Sequence, residues 1–343
     1  MKVLVLNCGS SSVKFQVIET TTQDVLKEGN IQRVTDHAAA IKEVLDQIDV
    51  TTIKAVGHRV VNGGEKFIHS VVVDDTVLTE MTKIEHLAPL HNPAAMLGVK
   101  ECRRLMPDVP NVLVFDTAFH ATMAPAAYLY GLPYEDYEKY QIRKYGAHGT
   151  SHQYVAEQAA KQLKKPLKDL KLITCHIGNG ASICAIDHGQ CVDTSMGMTP
   201  LAGLVMGTRS GDIDPAILPI LCEKHNFTLD QAIDYLNRQS GLLGLTGKSS
   251  DMRDIEAVME TDERTKIATE VFLHRIVHYI GGYVALMGGC DAIVWTGGIG
   301  IHRKWVAERA MTHFGYLPNC QKLVIPTNEE LMIALECEKF FTK

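Results

Sequence analysis

One pattern is written twice in this chain of 343 residues, and it constrains the fold more than any other feature. The first copy, LVLNCGSSSVKFQVI, runs from Leu4 to Ile18. The second, ITCHIGNGASICAI, runs from Ile173 to Ile186, and Gly9 aligns with Gly178 without a gap. Each copy is an apolar strand, a polar glycine-centred turn and a second strand, and such turns point backbone N–H groups and small hydroxyls at an anion. Two copies predict two halves closing on one polyphosphate, and so a phosphoryl-transfer enzyme. Taken singly, each is equally a polar turn capping two strands.

The length allows two domains. With 46% apolar and 22% charged residues the composition is that of a globular protein. A net charge of −6 without a basic run argues against nucleic acid and against an anionic membrane surface. Nine cysteines, an odd number without a C-x-x-C pair, read as free thiols in a reducing cytoplasm. The longest apolar region, about Ile276–Ile301, is broken by His278, glycines and Asp291 and predicts a buried helix followed by a strand, with no membrane span. Strand-like runs at Val3–Asn7, Val13–Ile18, Ile53–Gly57, Val71–Val73, Val112–Phe115, Leu172–His176, Ile183–Ile186, Ile293–Thr296 and Leu323–Ile325 alternate with helical patterns, which makes an α/β protein. Asn92-Pro93 predicts an N-cap opening a helix to about Leu105, Thr228 caps another, and Thr265–Met287 reads as a long helix. A domain boundary is expected in the tyrosine-rich stretch Ala124–Gly146, with the last helix, about Asn328–Phe341, returning to the first domain.

Common phosphate motifs are missing. Gly247-Lys248-Ser249 lacks the earlier glycine of a P-loop, because Leu242 stands there, and Gly298-x-Gly300 meets Arg303 where a dinucleotide fingerprint has its third glycine. Phosphates must be held by the hairpins. Arg59 follows a strand in GHRVVNGGE, and Arg209 sits in MGTRSGD; an arginine in such a loop forks onto a carboxylate or a phosphoryl group, or is a surface charge. Asp116 ends a strand, where α/β proteins place ligands, or caps a helix. His148 and His152 flank a Gly-Thr-Ser turn, the first suited to a developing phosphoryl charge and the second to a structural role.

These motifs, together with L-A-P-L-H-N-P, F-D-T-A-F-H, D-T-S-M-G-M-T-P-L, S-S-D-M-R-D, T-G-G-I-G and P-T-N-E-E-L-M-I-A, resemble the acetokinase family of the actin, Hsp70 and sugar-kinase superfamily over nearly the whole length. The resemblance implies a duplicated, two-domain actin-like ATPase (ribonuclease H-like) fold with its site in the interdomain cleft. The expected domains are 1–118 plus 331–343, and 119–330, the latter binding nucleotide and forming a homodimer. The implied reaction is reversible transfer of the ATP γ-phosphoryl to acetate. The alternatives are a propionate or butyrate kinase, or a non-catalytic nucleotide-dependent switch of the same fold.

By the same resemblance Asn7 and Glu329 would lie by Mg²⁺ (or Mn²⁺), and Ser10, Ser12 and Lys14 by the terminal phosphates. Arg59 and Arg209 would hold the acyl carboxylate and the phosphoryl, with Asp116 the catalytic carboxylate and His148, supported by His91, stabilising the transition state. ATP would be bound by His176, Ile177, Gly178, Asn179, Gly180, Asp251, Met252, Arg253, Gly298, Ile299, Gly300, Ile301 and His302. Val61, Leu90 and Pro200 would line the methyl pocket. The family's phenylalanine before the catalytic histidine is Ala147 here, which predicts a larger acyl pocket. Ile301-His302 replaces a Glu-Asn pair, Ala202 replaces a glutamate, and the chain is shorter than typical members, with gaps before Ile53 and between His302 and Leu323.

Overall fold

The structure, a computed structural model, describes residues 1–9, 11–89 and 91–341. It divides into two compact units. The first comprises Met1–Ala121, Ala147–Tyr154 and Asn328–Lys343, and the second Thr122–Gly146 and Val155–Thr327. In the first, the apolar runs become β1 (Lys2–Cys8), β2 (Ser12–Glu19), β4 (Ala55–Val60), β5 (Val71–Val72) and β6 (Asn111–Phe115), joined by β3 (Asp24–Gln32). The sheet order is β3-β2-β1-β4-β6-β5. In the second, β7 (Lys171–Ile177), β8 (Ala181–Asp187), β9 (Gln190–Thr194), β10 (Ala292–Thr296) and β11 (Gln321–Val324) form a sheet in the order β11-β10-β7-β8-β9.

The duplication read in the sequence is present in the pairing. β1 pairs antiparallel with β2 and parallel with β4. In the same way β7 pairs antiparallel with β8 and parallel with β10. Both faces of the first sheet are covered. Leu4, Leu6, Phe15 and Val56 pack on Ile41, Val44 and Cys102, while Val3, Val5 and Ile18 pack on Leu331, Ile333 and Cys337 of the Glu329–Glu338 helix. With about 25 cal/mol stabilised per Å² of apolar area buried, these two layers hold the strand ends that carry the polar residues. All nine cysteines are free thiols. Among the described residues no helix is long and apolar enough to cross a membrane; the apolar stretch resolves into a helix, Glu263–Met287, followed by β10.

Two expectations are corrected. Asn92 does not cap its helix: His91 is the N-cap, and Asn92 opens the Asn92–Leu105 helix fully buried. Its amide is used inward, donating to the Asn62 carbonyl at 2.8 Å and accepting from the Asn62 N–H at 3.3 Å. The long helix starts at Glu263, two residues early, because Asp262 accepts from the Thr265 N–H and caps it. Thr228 does cap the Leu229–Arg238 helix, in a full capping box with Gln231.

Candidate functional site

In the first unit the charged residues gather where β4 and β6 end. These strands run parallel, with Val60 opposite Phe115, so Arg59 and Asp116 leave the same edge of the sheet. Arg59 donates from Nε to both Asp116 oxygens at 3.1 and 3.2 Å, and from Nη2 to Oδ2 at 2.7 Å. The Asp116 side chain is 2% exposed and that of Arg59 21%. The carboxylate beside it raises the Arg59 pKa further, so this guanidinium is a permanent cation. With Nε and Nη2 occupied, its Nη1 has no protein partner among the described residues. Glu329, at the start of its helix, is half-buried near Arg59, Asp116, Glu330 and Lys14. Burial raises its pKa, the Arg59 charge opposes the rise, and its Oε1 has no hydrogen-bond partner. Lys14 and Asn7 face each other across the β1–β2 hairpin, whose turn is closed by the Gly9 N–H donating to the Ser12 carbonyl at 2.8 Å.

The histidine segment is fixed to Asp116 by backbone. The Gly149 N–H donates to the Asp116 carbonyl at 2.9 Å, and a Cβ on Gly149 would strike that carbonyl. His148 is left-handed (φ 59°), an uncommon conformation for a residue with a side chain. Its carbonyl accepts from the His152 N–H at 2.9 Å, starting the Gly149–Leu163 helix. His152 is fully buried, edge-on to His120, and His120 Nε2 donates to the Ala147 carbonyl at 2.9 Å. His152 is thus enclosed in the core, and Ala147 is 4% exposed. Val61 begins a loop whose glycine N–H groups donate to Thr117 and Asn62.

In the second unit a cleft of about 540 Å³ is lined by Gly178, Asn179, Ser250, Asp251, Met252, Arg253, Gly298, Ile299, His302 and Arg303. Three segments converge on it: the tip of the β7–β8 hairpin, the start of the Met252–Val258 helix, and the Gly297–His302 turn after β10. β7 and β10 are parallel neighbours, His176 opposite Thr296, which brings the first and third segments to one edge. Gly297 is left-handed, and a Cβ there would meet the Ile177 carbonyl; a Cβ on Gly298 would meet nothing, so that side is open to a ligand. Asp251 caps its helix through the Arg253 N–H and pairs with the Arg253 guanidinium at 2.6 Å, which lowers its pKa to about 2.

The Arg209 loop adjoins this cleft. The Gly207 N–H donates to the Asn179 carbonyl at 2.9 Å. Arg209 Nη1 donates to the Pro200 carbonyl at 3.4 Å and approaches Met206 Sδ at 3.8 Å. No carboxylate pairs with it among the described residues, and burial lowers its pKa.

Within the first unit the structure thus brings together Asp116, Arg59, Lys14 and Glu329, with His148 tied to Asp116. Ser12 lies at the hairpin turn, Val61 after β4, and His91 at its helix cap; Ser10 and Leu90 lie outside the described residues. Within the second, Gly178, Asn179, Asp251, Met252, Arg253, Gly298, Ile299 and His302 share the cleft. His176, Ile177, Gly180, Gly300 and Ile301 do not line it: Ile177 and Gly300 are buried, Gly300 against the Cys175 carbonyl. Ser250 and Arg303 line it without having been singled out. Ser250 stands next to Asp251 in the quoted motif, and Arg303 counted only as a missing glycine.

The Acetokinase family matches residues 2–51 and 28–319. The acetate kinase of Caldicellulosiruptor saccharolyticus is 47% identical over 399 aligned positions, covering 100% of both chains. Among solved structures, Porphyromonas gingivalis acetate kinase superposes with a TM-score of 0.95 at 38% identity, covering 99% of this chain and 100% of that one. A Francisella tularensis propionate kinase superposes at 0.90 and 39%, covering 98% of each. The fold is that of these actin-like ATPase-type kinases, and the chain belongs to the acetokinase family.

Proposed function

We propose that this chain transfers the γ-phosphoryl of ATP to acetate, giving acetyl phosphate and ADP, reversibly. The observation that carries the proposal is the Arg59–Asp116 pair. A carboxylate holds two guanidinium nitrogens and leaves the third for an anion. Acetate needs no base, since a carboxyl pKa near about 4 leaves it ionised at neutral pH. Catalysis then consists of aligning two anions and spreading charge on the transferring group. Asp116 does this by orienting Arg59, with its oxygens already engaged, and not by taking a proton. Arg209, without a carboxylate partner among the described residues, holds the phosphoryl or the acyl carboxylate. His148 donates to the transferring group. Val61, Leu90, Pro200 and Ala147 are the residues that the family pattern assigns to the methyl end.

The cleft around Gly298 and Asp251 takes the adenosine, and Ser10, Ser12 and Lys14 the terminal phosphates. Asn7 and Glu329 offer oxygen ligands of the kind Mg²⁺ prefers, and the buried Glu329 Oε1 without a hydrogen-bond partner fits such a cation. Mg²⁺ there would neutralise charge on the phosphates. Acetate is favoured over longer acids because relatives that match the whole chain, those of two Caldicellulosiruptor species among them, are acetate kinases. A cytoplasmic homodimer is the assembly proposed.

Hydroxylamine trapping of acyl phosphate with ATP and acetate, propionate or butyrate tests the reading. The expected outcome is hydroxamate in all incubations that contain enzyme and acetate, with the highest kcat/KM for acetate. No hydroxamate from any acid would favour a nucleotide switch, and a preference for butyrate would mean that Ala147 opens the pocket.

A further inference from the structure

Asp212 ends the glycine-rich loop that carries Arg209, and it closes that loop. Its N–H donates to the Gly203 carbonyl at 3.0 Å, and its Oδ1 accepts from the Gly203 N–H at 2.7 Å. Its Oδ2 accepts from the Tyr279 hydroxyl at 2.5 Å. Gly203 and Gly211 have φ of +100° and +69°, and a Cβ on Gly211 would strike the Gly203 and Leu204 carbonyls, so the ends of the loop are pinched together. Tyr279 is the one member of this ring from another element, the Glu263–Met287 helix. Its ring is fixed in turn, edge-on to the buried Tyr283 with centroids 5.8 Å apart.

Arg59 has a bidentate carboxylate to aim it. Among the described residues Arg209 has only a long bond to a carbonyl and a sulfur contact, so its direction comes from its backbone. We propose that Tyr279 and Asp212 form a latch that positions Arg209, with Tyr279 a positioning residue that acts through the loop without touching substrate. This rests on the acyl-kinase reading of Arg209. Tyr279→Phe keeps the ring against Tyr283 and removes only the hydroxyl, freeing Asp212 Oδ2 and loosening the pinch. The nucleotide cleft is lined by other segments and meets the loop at Gly207, whose N–H donates to the Asn179 carbonyl, away from the pinched ends.

The test combines steady-state kinetics with amide hydrogen exchange on wild type, Tyr279→Phe and Asp212→Asn. Small misplacements of a positioning group are costly, so kcat/KM for acetate in Tyr279→Phe is expected to fall about tenfold while KM for ATP stays within about twofold. Asp212→Asn keeps an acceptor for Gly203 and an amide that donates to the Tyr279 oxygen, so its loss is expected to be smaller. Exchange should quicken in 203–212 alone in Tyr279→Phe. Unchanged kinetics and exchange would overturn the latch, as would faster exchange across the whole second unit, the mark of a merely structural residue. If wild type forms no acyl phosphate from any acid, the kinase reading falls, and the exchange comparison still decides whether Tyr279 holds the loop.

Discussion

Asp116 is nearly inaccessible and spends its oxygens on one guanidinium. That arrangement separates orientation from proton transfer experimentally. In Asp116→Asn the amide nitrogen meets the guanidinium as donor against donor, so Arg59 swings, and kcat should fall by about two orders of magnitude with ATP binding retained. Stopped-flow ATP turnover with a nucleotide titration checks this, and near wild-type turnover and metal affinity would remove Asp116 from any essential role. Glu329 makes a second residue-level case, with a definite sign. Its pKa is raised in the folded protein by burial, so the folded state holds the proton more tightly than the unfolded one. The metal-free protein should therefore lose stability as pH rises above the ordinary carboxyl range. Glu329→Gln should abolish that loss, and Mg²⁺ should raise Tm at pH 8 in wild type but not in the variant; thermal melts at pH 5 and pH 8 decide it.

At the scale of the element, tight backbone contacts set side-chain positions. Gly149 lies so close to the Asp116 carbonyl that any Cβ must push the two segments apart, carrying His148 with it. Gly149→Ala should cost about 1–3 kcal/mol in urea denaturation and depress kcat, because overpacking at a fixed contact is relieved only by moving backbone. The same scale shows what could be read beforehand. Runs such as Val3–Asn7 and Ile293–Thr296 were legible as strands because both faces are buried, which leaves an uninterrupted apolar signature. β3 was not, because DVLKEGNIQ is an exposed edge strand whose charged residues carry no alternating burial. β9, QCVDT, is short and half polar. Asn92 was misread as a cap because its inward partner, Asn62, is thirty positions away and invisible to local pattern. In the site, hairpin tips and strand ends were legible from glycine and charge. The pairing of Arg59 with Asp116 needed the β4–β6 register, which no local motif encodes.

At the scale of the molecule, the first unit is assembled from three separated segments, and the third supplies Leu331, Ile333, Ala334 and Cys337 to one face of its sheet. Burying a side chain such as leucine contributes about 1.5–3 kcal/mol, so a chain ending at Thr327 leaves that face bare and several times this amount unrealised. Such a truncation should lose the cooperative melting of the first unit and become sensitive to limited proteolysis within 1–121, while 155–327 stays resistant; digestion followed by mass spectrometry reads both. The alignment with a relative runs to 399 positions against 343 residues here, so it contains gaps in this chain; these leave the design untouched, since the helix that closes the first unit is present.

That closing helix also sets an order of events during synthesis. Residues 1–121 emerge from the ribosome before the second unit but cannot bury both faces of their sheet until Glu329–Glu338 has followed, after everything the second unit is made of. The unit begun first is finished last. In the interval, the apolar face of β1 and β4 is open to solvent while the nascent chain lengthens, which makes it the surface that a chaperone would meet on this protein.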